Sequence, residues 1–156
     1  DAVKRDGIPY ELIEKALPTI EGEVNDILAQ MVDFGIVLEM DGKNINTYLA
    51  YDDDNVWPLE LSSGMERFIS SLAMRVGLIN VCNLPRANFL AIDEGFGNMD
   101  SDNLNSVYSL FQYLKSQFQF AFIVSHIESM RDTVDSLLEI SKENGFSQLK
   151  LPSKFN

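Results

Sequence analysis

The chain has 156 residues, of which 46% are hydrophobic, so it has the size of one ordinary domain with a buried core. Its 24 acidic and 12 basic residues give a net charge of −12, which excludes a self-sufficient DNA-binding surface, because such surfaces are basic. The apolar runs are too short to span a bilayer and no signal-peptide pattern is present, so we expect a cytoplasmic protein with no membrane partner.

The first third of the chain predicts two helical pieces and a hairpin. Apolar residues recur at helical spacing over 10–33, with a break at Leu17-Pro18, because the residue before a proline disfavours helical geometry. Within 34–51, the pair Asp41-Gly42 separates two apolar runs and is typical of a tight hairpin turn. The polar residues 52–55 then predict a loop.

The rest of the chain predicts a helix, a strand–helix–strand unit and a last hairpin. Helical spacing runs from Phe68 to Ile79, and the apolar neighbours of the single cysteine, Cys82, predict a buried thiol. The apolar run 89–92 predicts a strand buried on both faces, followed by a helix at 101–117 and a second strand at 120–124. A helical crossover makes these strands parallel. Asn144-Gly145 predicts the turn of the hairpin.

Charged and polar residues follow both predicted parallel strands. Asp93 and Glu94 end the first strand, and His126, the sole histidine, follows the second. Because the carboxyl ends of parallel strands lie on one edge of a sheet, we expect Glu94 and His126 to lie side by side. The simpler alternative is a pair of surface carboxylates near an ordinary loop histidine.

A second candidate site precedes the middle helix. Ser62, Ser63 and Gly64 lie where free backbone amides and the positive end of a helix dipole suit an anion. The simpler interpretation is a capping box between Ser63 and Glu66, worth about 1 kcal/mol. Both interpretations are compatible. Asp100 likewise fits the N-cap of the helix that follows it.

Three segments, taken in order, resemble the motifs of ABC-type ATPases. Residues 61–68 are similar to the signature motif, residues 89–100 to the Walker B motif with its D-loop, and Ile-Val-Ser-His at 123–126 to the switch-histidine motif. The run Glu94-Gly95-Phe96-Gly97 resembles the SbcC-type DNA repair ATPases of the SMC-like group. The resemblance implies an α/β fold, the P-loop NTPase-like ABC ATPase head, with parallel strands, a crossover helix and terminal hairpins.

The sequence lacks the phosphate-binding loop of such ATPases, Gly-x-x-x-x-Gly-Lys-Ser/Thr. Its single Gly-Lys pair, Gly42-Lys43, is followed by Asn44. In the family that loop lies at the far N-terminus beyond a long coiled coil, and residues 1–9 resemble the segment that re-enters the head from this coiled coil. The resemblance thus implies that residues 1–156 form a single domain, the C-terminal half of a split head.

The resemblance also implies a role for each residue of the Walker B and switch motifs. Asp93 would hold Mg²⁺, Glu94 would act as the general base or orient the attacking water, and His126 would contact the γ-phosphate or that water. Asp100 belongs to the D-loop, which crosses the dimer interface in the family.

The signature residues Ser62, Ser63, Gly64 and Glu66 would bind the ATP held by a second head. Met65 stands where a second glycine is usual if Glu66 is aligned with the family's glutamate. Alternatively Met65 itself takes the Glu/Gln position, so the sequence leaves open which serine contacts phosphate. The first alignment is favoured because residues 69–78 then match without a gap.

The implied function is an ATP-binding and ATP-hydrolysing head that dimerises on ATP to control processing of DNA ends. The expected partners are the N-terminal phosphate-loop half, a second identical head, a nuclease subunit of SbcD type and double-stranded DNA, at the nucleoid or in the nucleus of a eukaryote. Three alternatives stay open: an SMC-like head in chromosome organisation or phage defence, a non-catalytic interaction domain, and a metal-dependent hydrolase, for which the ligand spacing of a dedicated site is missing.

Overall fold

The computed structural model describes residues 8–42, 44–82, 85–94, 96 and 104–150. Over these ranges the chain forms three α-helices and seven strands, which are α1 (Ile8–Leu28), β1 (Gly35–Asp41), β2 (Asn44–Ala50), β3 (Val56–Pro58), α2 (Gly64–Val81), β4 (Phe89–Asp93), α3 (Leu104–Gln117), β5 (Phe120–Val124), β6 (Glu139–Glu143) and β7 (Phe146–Lys150). Short 3₁₀ segments span Leu59–Leu61 and Glu128–Thr133. None of the helices in this part of the chain has the length and apolarity that crossing a membrane requires.

The first helix, α1, is continuous, so the break predicted at Pro18 is wrong. A proline inside a helix removes one backbone hydrogen bond and costs about 3 kcal/mol. Packing of the following turns offsets that cost, because Val24, Ile27 and Leu28 are buried in the main core. The partner helix α2 approaches closely at Gly77, where an added Cβ would lie 2.8 Å from Val24 Cγ2.

Strands β1, β2 and β3 form an antiparallel sheet, which confirms the hairpin predicted over 34–51. Its turn has Gly42 at φ +60°, a conformation that glycine adopts without strain. The free edge of β1 is fastened to α1: the Ile36 N–H donates to Asn25 Oδ1 at 2.8 Å, and Asn25 Nδ2 donates to the Ile36 carbonyl at 2.9 Å. The Leu38 N–H donates to Glu21 Oε2 at 2.7 Å. The side chains of α1 therefore satisfy an exposed sheet edge.

The second helix buries the face that its spacing predicts, including Ile69, Leu72 and Val76. The prediction of a buried thiol at Cys82 is wrong, because this cysteine is exposed. Cys82 is the C-cap of α2 and has an extended backbone, so its side chain leaves the buried face of the helix. Its amide still donates to the Leu78 carbonyl at 3.0 Å.

Strands β4 and β5 are parallel and are connected through α3, as the sequence predicts. The register pairs Asp93 with Val124, so both strands end at the same edge. α3 covers the unit through four buried apolar residues, which are Val107, Leu110, Phe111 and Leu114.

The expectation that β4 is buried on both faces is wrong within the described residues, which give this sheet two strands. Phe89, Phe120 and Phe122 are 51%, 58% and 52% exposed, and the rings of Phe89 and Phe120 stack at 5.6 Å. One flank of the pair therefore presents aromatic side chains to solvent.

The last two strands, β6 and β7, form the predicted terminal hairpin. Asn144 and Gly145 both have positive φ, at 53° and 86°, which is the backbone geometry of the favoured two-residue hairpin turns. Ile140 pairs with Leu149 across the hairpin, and both side chains are largely exposed.

Candidate functional site

The carboxyl ends of β4 and β5 bring the predicted acidic and imidazole side chains together. The Glu94 N–H donates to the Val124 carbonyl at 3.0 Å, which continues the pairing one residue beyond β4. His126 follows two residues after Val124, and its Nδ1 lies 3.2 Å from Glu94 Oε1. The predicted juxtaposition of Glu94 and His126 is confirmed. Both side chains are mostly exposed, at 61% and 71%, so a ligand can reach them.

The backbone at Glu94 has a φ of 48°, in the left-handed region that non-glycine residues rarely adopt. Such a conformation costs on the order of 1 kcal/mol. Its amide bond to Val124 and its side-chain contact with His126 hold the residue in place on two sides. The chain therefore turns sharply at the residue whose carboxylate meets the imidazole.

Asp93 is the last residue of β4, and its side chain is exposed next to Glu94. In the described part of the chain, no three His, Cys, Asp or Glu side chains gather into a metal-binding group. Mg²⁺ does not need such a group, because it is usually held by one or two carboxylates together with water and substrate phosphates. An exposed carboxylate at the strand end fits that mode of binding.

Phe96 connects this edge to both neighbouring helices. Its ring is 1% exposed and lies 4.7 Å from Phe68 of α2 and 5.6 Å from Phe111 of α3, both in edge-to-face contacts. The sequence suggested only that Phe96 belongs to a glycine-flanked segment. An aromatic residue between two glycines was the available indication that the turn is anchored in the core.

The N-terminus of α2 holds the second group of predicted residues. Ser63 is the N-cap: the Glu66 N–H donates to Ser63 Oγ at 3.2 Å, and the Ser63 N–H donates to Glu66 Oε2 at 2.6 Å. The capping box is confirmed. Gly64 is the first residue of the helix, and Met65 is buried at 5% exposure.

The two serines before α2 have different surroundings. Ser62 is buried, and its hydroxyl donates to the Leu59 carbonyl at 2.6 Å, so it stabilises the preceding 3₁₀ segment. Ser63 is exposed, and its oxygen accepts from the helix, which leaves its hydroxyl hydrogen free to point outward.

Tyr51 also belongs to this group, although no sequence motif indicated it. Its hydroxyl donates to Glu66 Oε1 at 2.7 Å. Burial, this hydrogen bond and the charges of Glu66 and Asp33 raise the pKa of Tyr51 to about 12. Burial opposes ionisation of Glu66, but hydrogen bonds from Tyr51 and Ser63 outweigh it and lower the pKa of that carboxyl overall. An open cavity of about 490 Å³ adjoins the pair.

The structure thus describes two groups of predicted site residues. Asp93, Glu94 and His126 meet at the edge of the parallel strands, whereas Ser62, Ser63, Gly64 and Glu66 surround the start of α2. Asp100, with the rest of the predicted D-loop, lies outside the described residues.

Comparison with solved structures shows which fold carries these groups. A chain from work on ATP-driven dimerization and DNA-stimulated activation of SMC ATPases superposes with a TM-score of 0.72 and 16% identity over 90% of this chain and 88% of that chain. The SMC head domain from Thermotoga maritima superposes with a TM-score of 0.62 and 19% identity over 94% of this chain and 52% of that one.

The chain has the fold of an SMC ATPase head. Its parallel strands, crossover helix and terminal hairpin are those predicted for the C-terminal half of such a head. Sequence relatives agree with this assignment. The chain is 33% identical to the SbcC subunit of the SbcCD nuclease of Pseudomonas aeruginosa over 91 residues, or 57% of its length. It is 35% identical to the uncharacterized protein R555 of Acanthamoeba polyphaga mimivirus over 92% of its length.

The SMC-like head segment is a small part of these relatives. It spans 12% of the mimivirus protein and 8% of the Pseudomonas subunit. No protein-family model matches the sequence.

Proposed function

We propose that the chain supplies the C-terminal half of the ATP-binding and ATP-hydrolysing head of an SbcC-like DNA repair ATPase. The observation that carries this proposal is the contact between Glu94 and His126 at the carboxyl edge of parallel strands in an SMC head fold. Ligands of such sheets bind at that edge. A carboxylate and an imidazole held there suit the orientation of a water molecule for attack on a phosphate.

Each group at this edge has a defined task in the proposal. Asp93 holds Mg²⁺, which neutralises phosphate charge when it is bound with ATP. Glu94 accepts a proton from the attacking water. A neutral His126 that donates its Nδ1 hydrogen to Glu94 keeps Nε2 as an acceptor, which can orient the same water.

The start of α2 receives the γ-phosphate of ATP held by a second head. Ser63 is the serine that makes this contact, because its hydroxyl is exposed while that of Ser62 is bonded to Leu59. The amides of Gly64 and Met65 have no acceptor within the helix and carry the positive end of its dipole. Asp100 lies at the interface between the two heads in this arrangement. Two heads would then enclose two nucleotides and separate after hydrolysis.

The missing phosphate loop is supplied by the N-terminal half of the same head. The exposed Phe89, Phe120 and Phe122 support this, because they offer an uncovered apolar flank of the kind that a further part of the sheet would cover. The SMC ATPase chain that superposes over 88% of its own length has nearly the same extent as this chain. A segment of this size therefore exists as a separate chain in a solved structure.

The biological setting extends the proposal. The 33% identity to an SbcC subunit favours DNA repair with an SbcD-type nuclease and double-stranded DNA over chromosome organisation, for which the similarity is one of fold. A net charge of −12 indicates that DNA contacts come from other parts of the assembly.

The decisive experiment is ATP hydrolysis by the chain alone and in combination with the phosphate-loop half. We expect negligible turnover by the chain alone and Mg²⁺-dependent turnover by the combination. Robust hydrolysis by the isolated chain, or none by the combination, would refute the split-head proposal. Binding of the assembled head to an SbcD-type nuclease tests the repair setting separately.

A further inference from the structure

Tyr51 joins the antiparallel sheet to the start of α2. It follows the last residue of β2, and its hydroxyl donates to Glu66 Oε1 at 2.7 Å. The other carboxylate oxygen, Glu66 Oε2, accepts from the Ser63 N–H at 2.6 Å. One carboxylate therefore connects Tyr51 with the N-cap serine, and both of its oxygens have a donor.

The ring of Tyr51 is held in place from two sides. It lies 5.6 Å from Phe34 in an edge-to-face contact and 5.6 Å from Trp57 in a tilted one. Its backbone N–H donates to the Asn55 carbonyl at 3.1 Å. A side chain with few rotatable bonds and two aromatic neighbours loses little entropy when it forms a hydrogen bond, so Tyr51 is preorganised to hold Glu66.

A carboxylate in the first turn of α2 is a potential competitor of phosphate. Glu66 carries the same sign of charge as phosphate and can reach the same amides, those of Gly64 and Met65, if its side chain is free to move. The bonds from Tyr51 and Ser63 keep this carboxylate in the capping box. Those amides then stay available to an external anion.

We propose that Tyr51 is a positioning residue, which holds Glu66 in the capping box and thereby keeps Ser63 and the following amides in a geometry that receives phosphate. This inference rests on the proposed function of the same site. The raised pKa of Tyr51 and the lowered pKa of Glu66 support it, since the hydroxyl stays protonated and the carboxylate stays charged at neutral pH.

The test uses the assembled head, in which this chain is combined with its phosphate-loop half. Tyr51→Phe removes one hydroxyl, and we expect dimerisation driven by Mg²⁺ and a non-hydrolysable ATP analogue to weaken about fivefold, as for loss of one hydrogen bond to a charged group. Binding of the analogue to the monomeric head should not change. Tyr108→Phe is the matched control, because it removes the hydroxyl of an exposed tyrosine on α3.

A double variant separates positioning from a general structural effect. If Tyr51 acts through Ser63, adding Tyr51→Phe to Ser63→Ala weakens dimerisation by less than about twofold beyond Ser63→Ala alone. A full further fivefold loss would overturn the positioning role. So would a Tyr51→Phe head that dimerises as well as Tyr108→Phe while Ser63→Ala is impaired, and the proposed function would then still stand. If Ser63→Ala itself dimerises normally, the phosphate role of this helix start fails, and the inference fails with it.

Discussion

Glu94 and His126 are 32 residues apart in the sequence, and their side chains meet at 3.2 Å where β4 and β5 end. The contact depends on the parallel register that pairs Asp93 with Val124, since that register brings both chain segments to the same edge. Glu94 adopts a positive φ at the same point. Backbone strain and side-chain pairing thus coincide at one residue, which is a common property of reactive sites.

Replacement of Glu94 by glutamine should abolish turnover in the assembled head without preventing ATP binding. Glutamine keeps the size of the side chain but cannot accept a proton, so we expect hydrolysis to fall by about 10²–10⁴-fold and an ATP-bound dimer to persist. Steady-state hydrolysis and light scattering measure the two effects. Glu14→Gln, on the exposed surface of α1, is the charge-matched control. Turnover at the wild-type rate in Glu94→Gln would exclude Glu94 as the base.

Replacement of His126 by alanine should lower kcat about 100-fold and leave nucleotide affinity nearly unchanged, because the imidazole acts on the water and not on the bulk of the nucleotide. Ser125→Ala is the control from the same loop. It removes a side chain that accepts only from the nearby Ile127 N–H, at 3.2 Å, and should cause a much smaller loss. Equal losses in the two variants would indicate that the loop, not the imidazole, matters.

Asn25→Ala should destabilise the chain by about 2 kcal/mol, because it removes two hydrogen bonds from the exposed edge of β1 at Ile36. Chemical denaturation of the purified chain measures the change in the free energy of unfolding. Gln30→Ala removes one exposed side-chain bond near the end of the same helix and should cost less than about 0.5 kcal/mol. Similar stabilities for both variants would show that the fastening of α1 to the sheet contributes little.

The Tyr51–Glu66 pair predicts a loss of stability in alkali. The pKa of Tyr51 rises from 10.0 to about 12 on folding, so its contribution is complete below pH 10 and disappears as the pH rises through 12. Two pKa units would correspond to about 2.7 kcal/mol. Because Tyr51 is 45% exposed, solvent screening reduces the expected effect to about 1 kcal/mol.

The measurement for this pair is the unfolding free energy of the wild type and of Tyr51→Phe across that alkaline range. The difference between the two proteins should shrink as the pH rises. Glu66 contributes in the opposite direction: its pKa is lowered from 4.5, so its stabilisation is lost when the pH falls below that value. A difference that stays constant from neutral pH to pH 12 would contradict the assignment of the raised pKa to this contact.

The sequence predicted the elements whose stability is local or whose pattern is periodic. The hairpin turns at Gly42 and Asn144-Gly145 need positive φ, and glycine and asparagine indicate it directly. The crossover through α3 fixes the direction of β5 relative to β4, so the meeting of Glu94 with His126 follows from topology.

Features that depend on tertiary packing were beyond the sequence. Pro18 lies inside a continuous helix because burial of Val24, Ile27 and Leu28 outweighs the local cost of proline. Cys82 has apolar neighbours in sequence, yet it caps a helix and faces solvent. Tyr51 reaches Glu66 only because β2 ends beside the start of α2, a relation that no short motif contains.

The central claim is that one head contributes Glu94 and the opposite head contributes Ser63 to the same ATP. Mixing Ser63→Ala heads with Glu94→Gln heads tests it most directly, because a mixed dimer has one site with both residues intact and one with neither. Each variant alone should be nearly inactive. The mixture should recover about a quarter of the wild-type rate of Mg²⁺-dependent ATP hydrolysis, since half of the dimers are mixed and each has one intact site. A mixture no more active than the mean of the two variants would contradict the claim.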